Sequence, residues 1–199
     1  MVLSDKDIKV LCLAEPPLIS DFIEENLQGA SYDITMGHEI ARFEKRNSFV
    51  DLSQQSLDSV YKRETILSVG CTIKPYEYIL VTVQEKITLP DNLIAHIRPR
   101  SRFTRMGLQV SAQHCNPTYS GKLQLGLFNA SPNEIKIVPG MKIAQIVFEE
   151  LKSIPSEEKL YVNKSDAAYQ NEVDFRGAKL DKDLQNFLNL IVDKLNSEG

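Results

Sequence analysis

Two stretches decide how this chain folds: Arg100-Ser101-Arg102-Phe103-Thr104-Arg105-Met106-Gly107-Leu108 and Ser120-Gly121-Lys122-Leu123-Gln124-Leu125-Gly126-Leu127-Phe128-Asn129. The first predicts a short turn of helix that begins near Ser101. The second alternates polar and apolar residues, as a half-buried strand does. Pro139-Gly140 then predicts a turn. A helical turn on a small β-fold presents main-chain N–H groups, so these residues predict a site for an anion.

The region from Thr65 to Phe148 is dominated by short strand patterns. Prolines or proline-containing turns separate predicted strands at residues 78–83, 93–97, 122–128 and 134–138. Many short strands with closely spaced turns predict a mainly β fold, either a distorted barrel or a jelly-roll-like sandwich.

Helices are predicted at both ends of the chain. Ser4 precedes a short amphipathic pattern that Pro16-Pro17 ends. Between residues 178 and 195, apolar residues recur at helical spacing, at Leu180, Leu184, Phe187, Leu188, Ile191 and Leu195. We expect this apolar face to pack on the chain's own barrel, with a neighbouring subunit or a protein partner as the alternative.

Two further segments have distinctive patterns. Residues 29–37 have Gly at both ends, which predicts an irregular start to a strand with unusual dihedral angles. The polar residues 163–172 predict a mobile connection before the last helix.

The composition is typical of a globular protein of 199 residues, with 42% hydrophobic residues and a formal net charge of −4. Basic residues are scattered, which argues against duplex nucleic acid as a partner. The three cysteines lack the spacing of a metal site or a disulfide framework, so we expect free thiols. No apolar run approaches the ~20 residues that span a bilayer, and the first residues are charged. We therefore expect a cytoplasmic protein with no membrane partner.

Ser101 and Arg105 are the first candidate anion ligands. They lie one helical turn apart on one face, where the helix dipole and a guanidinium would act together on a phosphate. Arg100 and Arg102 add positive charge beside them. The alternative is an ordinary cap on a short solvated helix.

Several motifs share their order and spacing with one known family. They are Ser4–Ile8, Gly29–Asp33, Arg100–Leu108, Tyr119–Gly121, Asn129, Pro139–Ile143 and Ala167–Tyr169. Over residues 1–172 the chain resembles the dCTP deaminases, which belong to the trimeric dUTPase superfamily. The resemblance implies a distorted β-barrel and a homotrimer with nucleotide sites between subunits. It also implies a nucleotide-binding domain at residues 1–172 and leaves residues 173–199 as an added helical extension.

The resemblance also implies roles for particular residues. Ser101 and Arg105, with Arg100 and Arg102 beside them, would hold the triphosphate of a small-molecule nucleotide. The base and sugar pocket would contain Ala112, Asn116, Tyr119, Gly126 and Tyr169. Members of this superfamily deaminate dCTP without zinc or hydrolyse dUTP with Mg²⁺. No cofactor is expected here, except Mg²⁺ carried by a bound triphosphate, because the zinc deaminase signature is missing from the sequence.

The sequence departs from the family at four positions that bear on chemistry. Gly126 stands where the deaminases have a catalytic Glu, and Asn116 stands where an Asp is usual. Ala168 replaces a phosphate-binding Lys, and Glu172 replaces a base-reading Gln. An amide cannot accept a proton from water and glycine has no side chain, so neither family mechanism has its general base.

Two residues are candidates for a substitute base. His114 lies two residues from Asn116, and Glu172 lies on the segment before the last helix. The alternative for His114 is a structural or surface histidine.

Two functions remain open at this point. One is an enzyme of deoxynucleotide metabolism that acts through a rearranged site, nominally on dCTP. The other is a non-catalytic nucleotide binder that serves as a sensor, a sequestering protein or a regulator.

Overall fold

Antiparallel strands form most of the chain in a computed structural model that describes residues 1–45, 60–179 and 182–197. The side chains of residues 182–184 are outside that description. In chain order the elements are α1 (Asp5–Cys12), β1 (Leu27–Gln28), β2 (Ser31–Phe43), β3 (Tyr61–Thr65), β4 (Cys71–Ile73), β5 (Tyr78–Thr88), β6 (Leu93–Pro99), α2 (Ser101–Arg105), β7 (Leu108–Val110), β8 (Gln113–Cys115), β9 (Ser120–Asn129), β10 (Ile135–Ile137), β11 (Lys142–Glu150) and α3 (Lys182–Ser197).

The main sheet has the order β7-β9-β5-β2-β11-β6-β8, and β1 and β3 also pair with β2. A second sheet pairs β4 with β10. The long strands β2, β5, β9 and β11 change register along their length, as at bulges. Bulges bend a strand and increase its twist, which allows the sheet to curl. The predicted mainly β, barrel-like fold with a helix at each end is confirmed.

The start of β2 differs from our expectation. Neither Gly29 nor Gly37 has a positive φ angle, so the unusual dihedral angles predicted for these glycines were wrong, although the pairing of β2 with β5 does shift register between Met36 and Ile40. Glycine is instead needed at position 37 because the neighbouring strand lies too close for a side chain. A Cβ atom there would lie 2.7 Å from the Thr82 hydroxyl of the neighbouring strand β5.

The core lies inside the curled sheet. Burial alternates along β9, as the sequence predicts, and Leu125 and Leu127 are fully buried. Helix α1 begins after the predicted cap Ser4 and buries Ile8 and Cys12 against the sheet. Each such apolar side chain contributes about 1.5–3 kcal/mol when it leaves water. All three cysteines are free, as predicted.

Helix α3 lies differently from our expectation. Its described apolar side chains are largely exposed in the single chain, including Phe187, Ile191 and Leu195. The expectation that this face packs on the chain's own barrel was therefore wrong for these residues. The predicted positions Leu180 and Leu184 lie outside the described residues and side chains. Within the described chain, no helix is long and apolar enough to cross a membrane.

A buried carboxylate joins several of these elements. Asp33 of β2 is only 1% exposed, and its Oδ2 atom lies 2.5 Å from Nη1 of Arg100, the residue that precedes α2. The side-chain amides of Gln145 and Gln28 each donate a hydrogen bond of 3.2 Å to the same carboxylate. Asp33 therefore fixes where α2 begins relative to β1, β2 and β11.

We expect Asp33→Ala to lower the free energy of unfolding by about 3 kcal/mol, because it leaves the Arg100 guanidinium without its buried partner. Urea denaturation measures the change. The matched control is Glu24→Ala, which breaks the exposed ion pair of Glu24 with Lys9 and should cost about 1 kcal/mol or less. Equal losses in both variants would contradict the structural role given to Asp33.

Candidate functional site

A cavity of about 450 Å³ opens on the side of the barrel formed by β8 and β9. Five of the residues predicted for the site line it: His114, Asn116, Tyr119, Tyr169 and Glu172. The other lining residues are Tyr61, Leu80, Gln113, Cys115, Leu123, Gln124, Tyr161, Arg176, Gly177 and Ala178. The sequence therefore identified two of the four tyrosines that line the cavity and missed Tyr61 and Tyr161.

Residues 169–179, which we call the closing segment, cover one side of this cavity. The main chain of Glu172 bridges Gly121 of β9, and the Lys122 amide donates a 2.6 Å hydrogen bond to the Glu172 carbonyl. The Asn171 amide likewise donates to the Ser120 carbonyl at 2.7 Å. This end of the predicted mobile connection is therefore held on β9 by main-chain hydrogen bonds.

Phe175 anchors the closing segment on the C-terminal side of Glu172. Its ring is buried, with its centre 5.8 Å from the Tyr61 ring, and the Arg63 guanidinium lies 5.1 Å from the Phe175 ring centre. Such aromatic and cation–π contacts add to the free energy of burial. Glu172 is thus positioned from both sides, by β9 and by Phe175.

A row of hydrogen-bonding side chains leads to Glu172. The Gln113 side-chain amide donates to the main-chain carbonyl of Gln124 at 2.5 Å, and the Gln124 side-chain amide donates to Oε1 of Glu172 at 2.6 Å. Glu172 is only 4% exposed, and this burial raises the pKa of its carboxyl to about 7, although Arg176 and Lys179 oppose the shift. Glu172 can therefore hold or release a proton near neutral pH.

His114 is less closely tied to the cavity. Its side chain is exposed on β8, and its ring centre lies 5.0 Å from that of His96 on the neighbouring strand β6. This arrangement favours the interpretation of His114 as a surface histidine at the rim. Of the two candidate bases, Glu172 is the one that the fold buries and orients.

Gly126 does not line the cavity, because Tyr78 fills the space beside it. A Cβ atom added to Gly126 would overlap the Tyr78 hydroxyl, and the Gly126 amide donates a 2.8 Å hydrogen bond to Ser111. Burial raises the pKa of Tyr78, so its hydroxyl stays neutral and cannot replace a carboxylate as a base. Ala112, the other residue predicted beside the base, also lies outside the lining of this cavity.

The predicted phosphate ligands lie on the five-residue helix α2. Arg100, and not Ser101, occupies its N-cap position, and Phe103 anchors the helix in the core. The side chains of Ser101, Arg102 and Arg105 are exposed, whereas Arg100 is paired with Asp33. Within the described chain, none of the four lines the cavity. A single chain thus presents an exposed cationic helix and a separate cavity.

Comparisons with known proteins identify the family of this chain. A sequence model of the dCTP deaminase-like family matches residues 2–151. The chain belongs to this family. It is 31% identical to a dCTP deaminase of Haloarcula marismortui over 92% of this chain and 96% of that protein. It is 30% identical to a dUMP-forming dCTP deaminase of Persephonella marina over 79% of this chain and 87% of that protein.

A solved structure supports the same fold. The dCTP deaminase of Agrobacterium tumefaciens superposes with a TM-score of 0.61 at 21% identity. The match covers 75% of this chain and 48% of that one. At this identity the likeness concerns the fold, and the family assignment depends on the sequence matches.

Some site residues could have been found from the sequence and others could not. Gln124 lies two residues before Gly126 on the alternating strand β9, so the period of two places both on one face. Tyr61 and Arg176 come from distant segments, and only the pairing of β3 with β2 and the docking of Phe175 bring them to the cavity.

We expect Gly126→Ala to lower the free energy of unfolding by about 1–3 kcal/mol, because the new methyl group meets the Tyr78 ring. The same substitution in a Tyr78→Ala background should cost little, and a double-mutant cycle by urea denaturation measures the difference. Gly29→Ala is the control, because a Cβ atom there has no neighbour within 4 Å. Equal losses with and without Tyr78 would contradict this account of Gly126.

Proposed function

We propose that this protein binds a deoxynucleotide, with the base in the cavity and the phosphates on helix α2 of a neighbouring copy in a homotrimer. The division of the predicted ligands within one chain supports this proposal. The cavity has aromatic walls and a hydrogen-bonding row, whereas the exposed cations Arg102 and Arg105 do not line it. A second copy of the chain would bring the two parts together.

The nucleotide expected from the family is dCTP, since the relatives are described as dCTP deaminases. The aromatic lining suits a flat base, and exposed guanidinium groups suit a triphosphate. Any Mg²⁺ would arrive with the triphosphate.

The observation that most strongly shapes the proposal is Tyr78 in the space beside Gly126. A general base must lie within hydrogen-bond reach of the attacking water, and positioned acid–base groups supply roughly 10²–10⁴-fold in rate. Gly126 offers no carboxylate, Tyr78 fills the space, and Asn116 carries an amide. We therefore propose binding without ordinary dCTP deamination, in the role of a sensor, a sequestering protein or a regulator.

A second candidate function is deamination through a substitute base. It is favoured by Glu172, whose buried carboxyl faces the cavity and has a pKa of about 7. A base with a pKa near the working pH is well matched to proton transfer. In this alternative, Glu172 would accept the proton of water that attacks C4 of cytosine.

Binding and product formation separate these functions. We expect dCTP to bind the wild-type protein with negligible release of ammonia, and Arg105→Ala to weaken binding by about 2 kcal/mol, or roughly 30-fold. Isothermal titration calorimetry and an ammonia assay provide the two readouts. Lys152→Ala, which removes an exposed cation after β11, should leave the affinity unchanged. Unchanged affinity in Arg105→Ala would overturn the phosphate assignment, and ammonia release that Glu172→Gln abolishes would favour the second candidate.

Mixing two defective variants tests the shared site. Arg105→Ala removes the phosphate side and Glu172→Ala removes the cavity side, so neither should bind dCTP well alone. If each site combines α2 of one copy with the cavity of the next, co-refolded equal amounts should regain about a quarter of the sites. No recovery in mixed assemblies would contradict a site shared between copies.

A further inference from the structure

The cavity presents the buried carboxyl group of Glu172 to a ligand between aromatic walls. Rings of Tyr119 and Tyr161 lie 5.8 Å apart at one side, and Tyr61 and Tyr169 also line the space. Such walls favour a flat heterocycle. At the end of the polar row, Gln124 donates to Oε1 of Glu172. Because Glu172 lines the cavity, its carboxyl group is available to a ligand there.

The protonation state of that carboxyl decides which ligand edge it can recognise. An ionised carboxylate only accepts hydrogen bonds, so its complement is an edge with two donors, such as that of guanine. A carboxylic acid offers an O–H donor beside an acceptor oxygen. Its complement is a ring nitrogen acceptor beside an exocyclic amino group, which is the edge that cytosine presents.

We propose that Glu172 is a specificity-determining residue that recognises a cytosine-type edge in its protonated, carboxylic-acid form, so that proton uptake by this side chain accompanies nucleotide binding. The inference rests on the proposed function, since it concerns the base bound in the same cavity. The inference adds that base recognition is coupled to proton uptake, and that ionisation of Glu172 lowers the affinity of the cavity for cytosine.

The groups around Glu172 are consistent with this role. Burial favours the neutral form of the carboxyl. Exposed Arg176 and Lys179 of the closing segment favour the ionised form, and the Arg176 main-chain N–H does the same. From β9 the neutral amide of Gln124 faces the carboxyl, and from β8 His114 faces the cavity at its rim. The phenol groups of Tyr119 and Tyr161 stay neutral, because burial raises the pKa of both.

The direction of the pH dependence follows from linkage. The pKa of the Glu172 carboxyl in the free protein is about 7, so the competent form predominates below that pH. Affinity for dCTP should be nearly constant below pH 7 and should fall towards tenfold per pH unit above it. A guanine nucleotide bound by the carboxylate would show the opposite trend.

The test is the affinity of wild type and Glu172→Gln for dCTP and dGTP, measured by calorimetry from pH 5.5 to 8.5. Glutamine keeps a donor and an acceptor at all pH values, so the variant should not share the loss above pH 7. At pH 8.5 it should bind dCTP about tenfold or more tightly than wild type. Titration of the ligand's own phosphates is common to both proteins and cancels in the ratio of affinities. Calorimetry in buffers of different ionisation enthalpy should show about one proton taken up by wild type at pH 8.

Controls separate Glu172 from other charges. Glu157→Gln makes the same change at an exposed carboxyl and should keep the wild-type profile. His114→Asn should also keep the fall in affinity above pH 7. A wild-type affinity for dCTP that is independent of pH, an affinity for dGTP that falls above pH 7 as that for dCTP does, or a fall for dCTP that His114→Asn removes would each overturn the inference. Failure of both wild type and Glu172→Gln to bind dCTP at any pH would overturn the proposed function as well.

Discussion

The buried contact between Asp33 and Arg100 is the constraint on which the arrangement of this protein depends. A carboxylate that is 1% exposed must be paired, and its partner here is the residue immediately before α2. The same carboxylate receives amide hydrogen bonds from Gln28 and Gln145, so β1, β2 and β11 are held to the start of the cationic helix. Arg105 can project to the surface because Arg100 and the buried Phe103 fix the turn from which it projects.

Much of the fold could be predicted from the sequence, because strand alternation and turn residues act locally. The pattern on β9 and the N-cap at Ser4 were confirmed in this way. Gly37 was misinterpreted because a glycine can serve a backbone angle or a close neighbour, and only the pairing of β2 with β5 shows that Thr82 is the reason. The exposed face of α3 likewise depends on tertiary contacts that helical spacing does not reveal.

The residue types of the candidate site could be predicted from the sequence, but which residues lie next to one another could be predicted less well. Motif spacing pointed to Asn116, Tyr169 and Glu172, and these do line one cavity. It could not show that Tyr78 occupies the space beside Gly126, because those two residues meet only through the pairing of β5 with β9. Nor could it show that burial would move the pKa of Glu172 to about 7, since burial is a property of the folded chain.

The docking of the closing segment on β9 would limit how fast a ligand could leave the cavity. Its main chain is bonded to β9 through Ser120 and Lys122, and the Phe175 ring is buried beside Tyr61. For a ligand that left the cavity past this segment, those bonds would have to break and the Phe175 ring would have to leave its contact with Tyr61. The residence time of such a ligand would then depend on the local opening free energy of the eleven residues of the closing segment as well as on its own contacts. The Lys122 amide would exchange its hydrogen only when its bond to the Glu172 carbonyl opens. Slow exchange at Lys122 would therefore measure the same opening that a departing ligand requires.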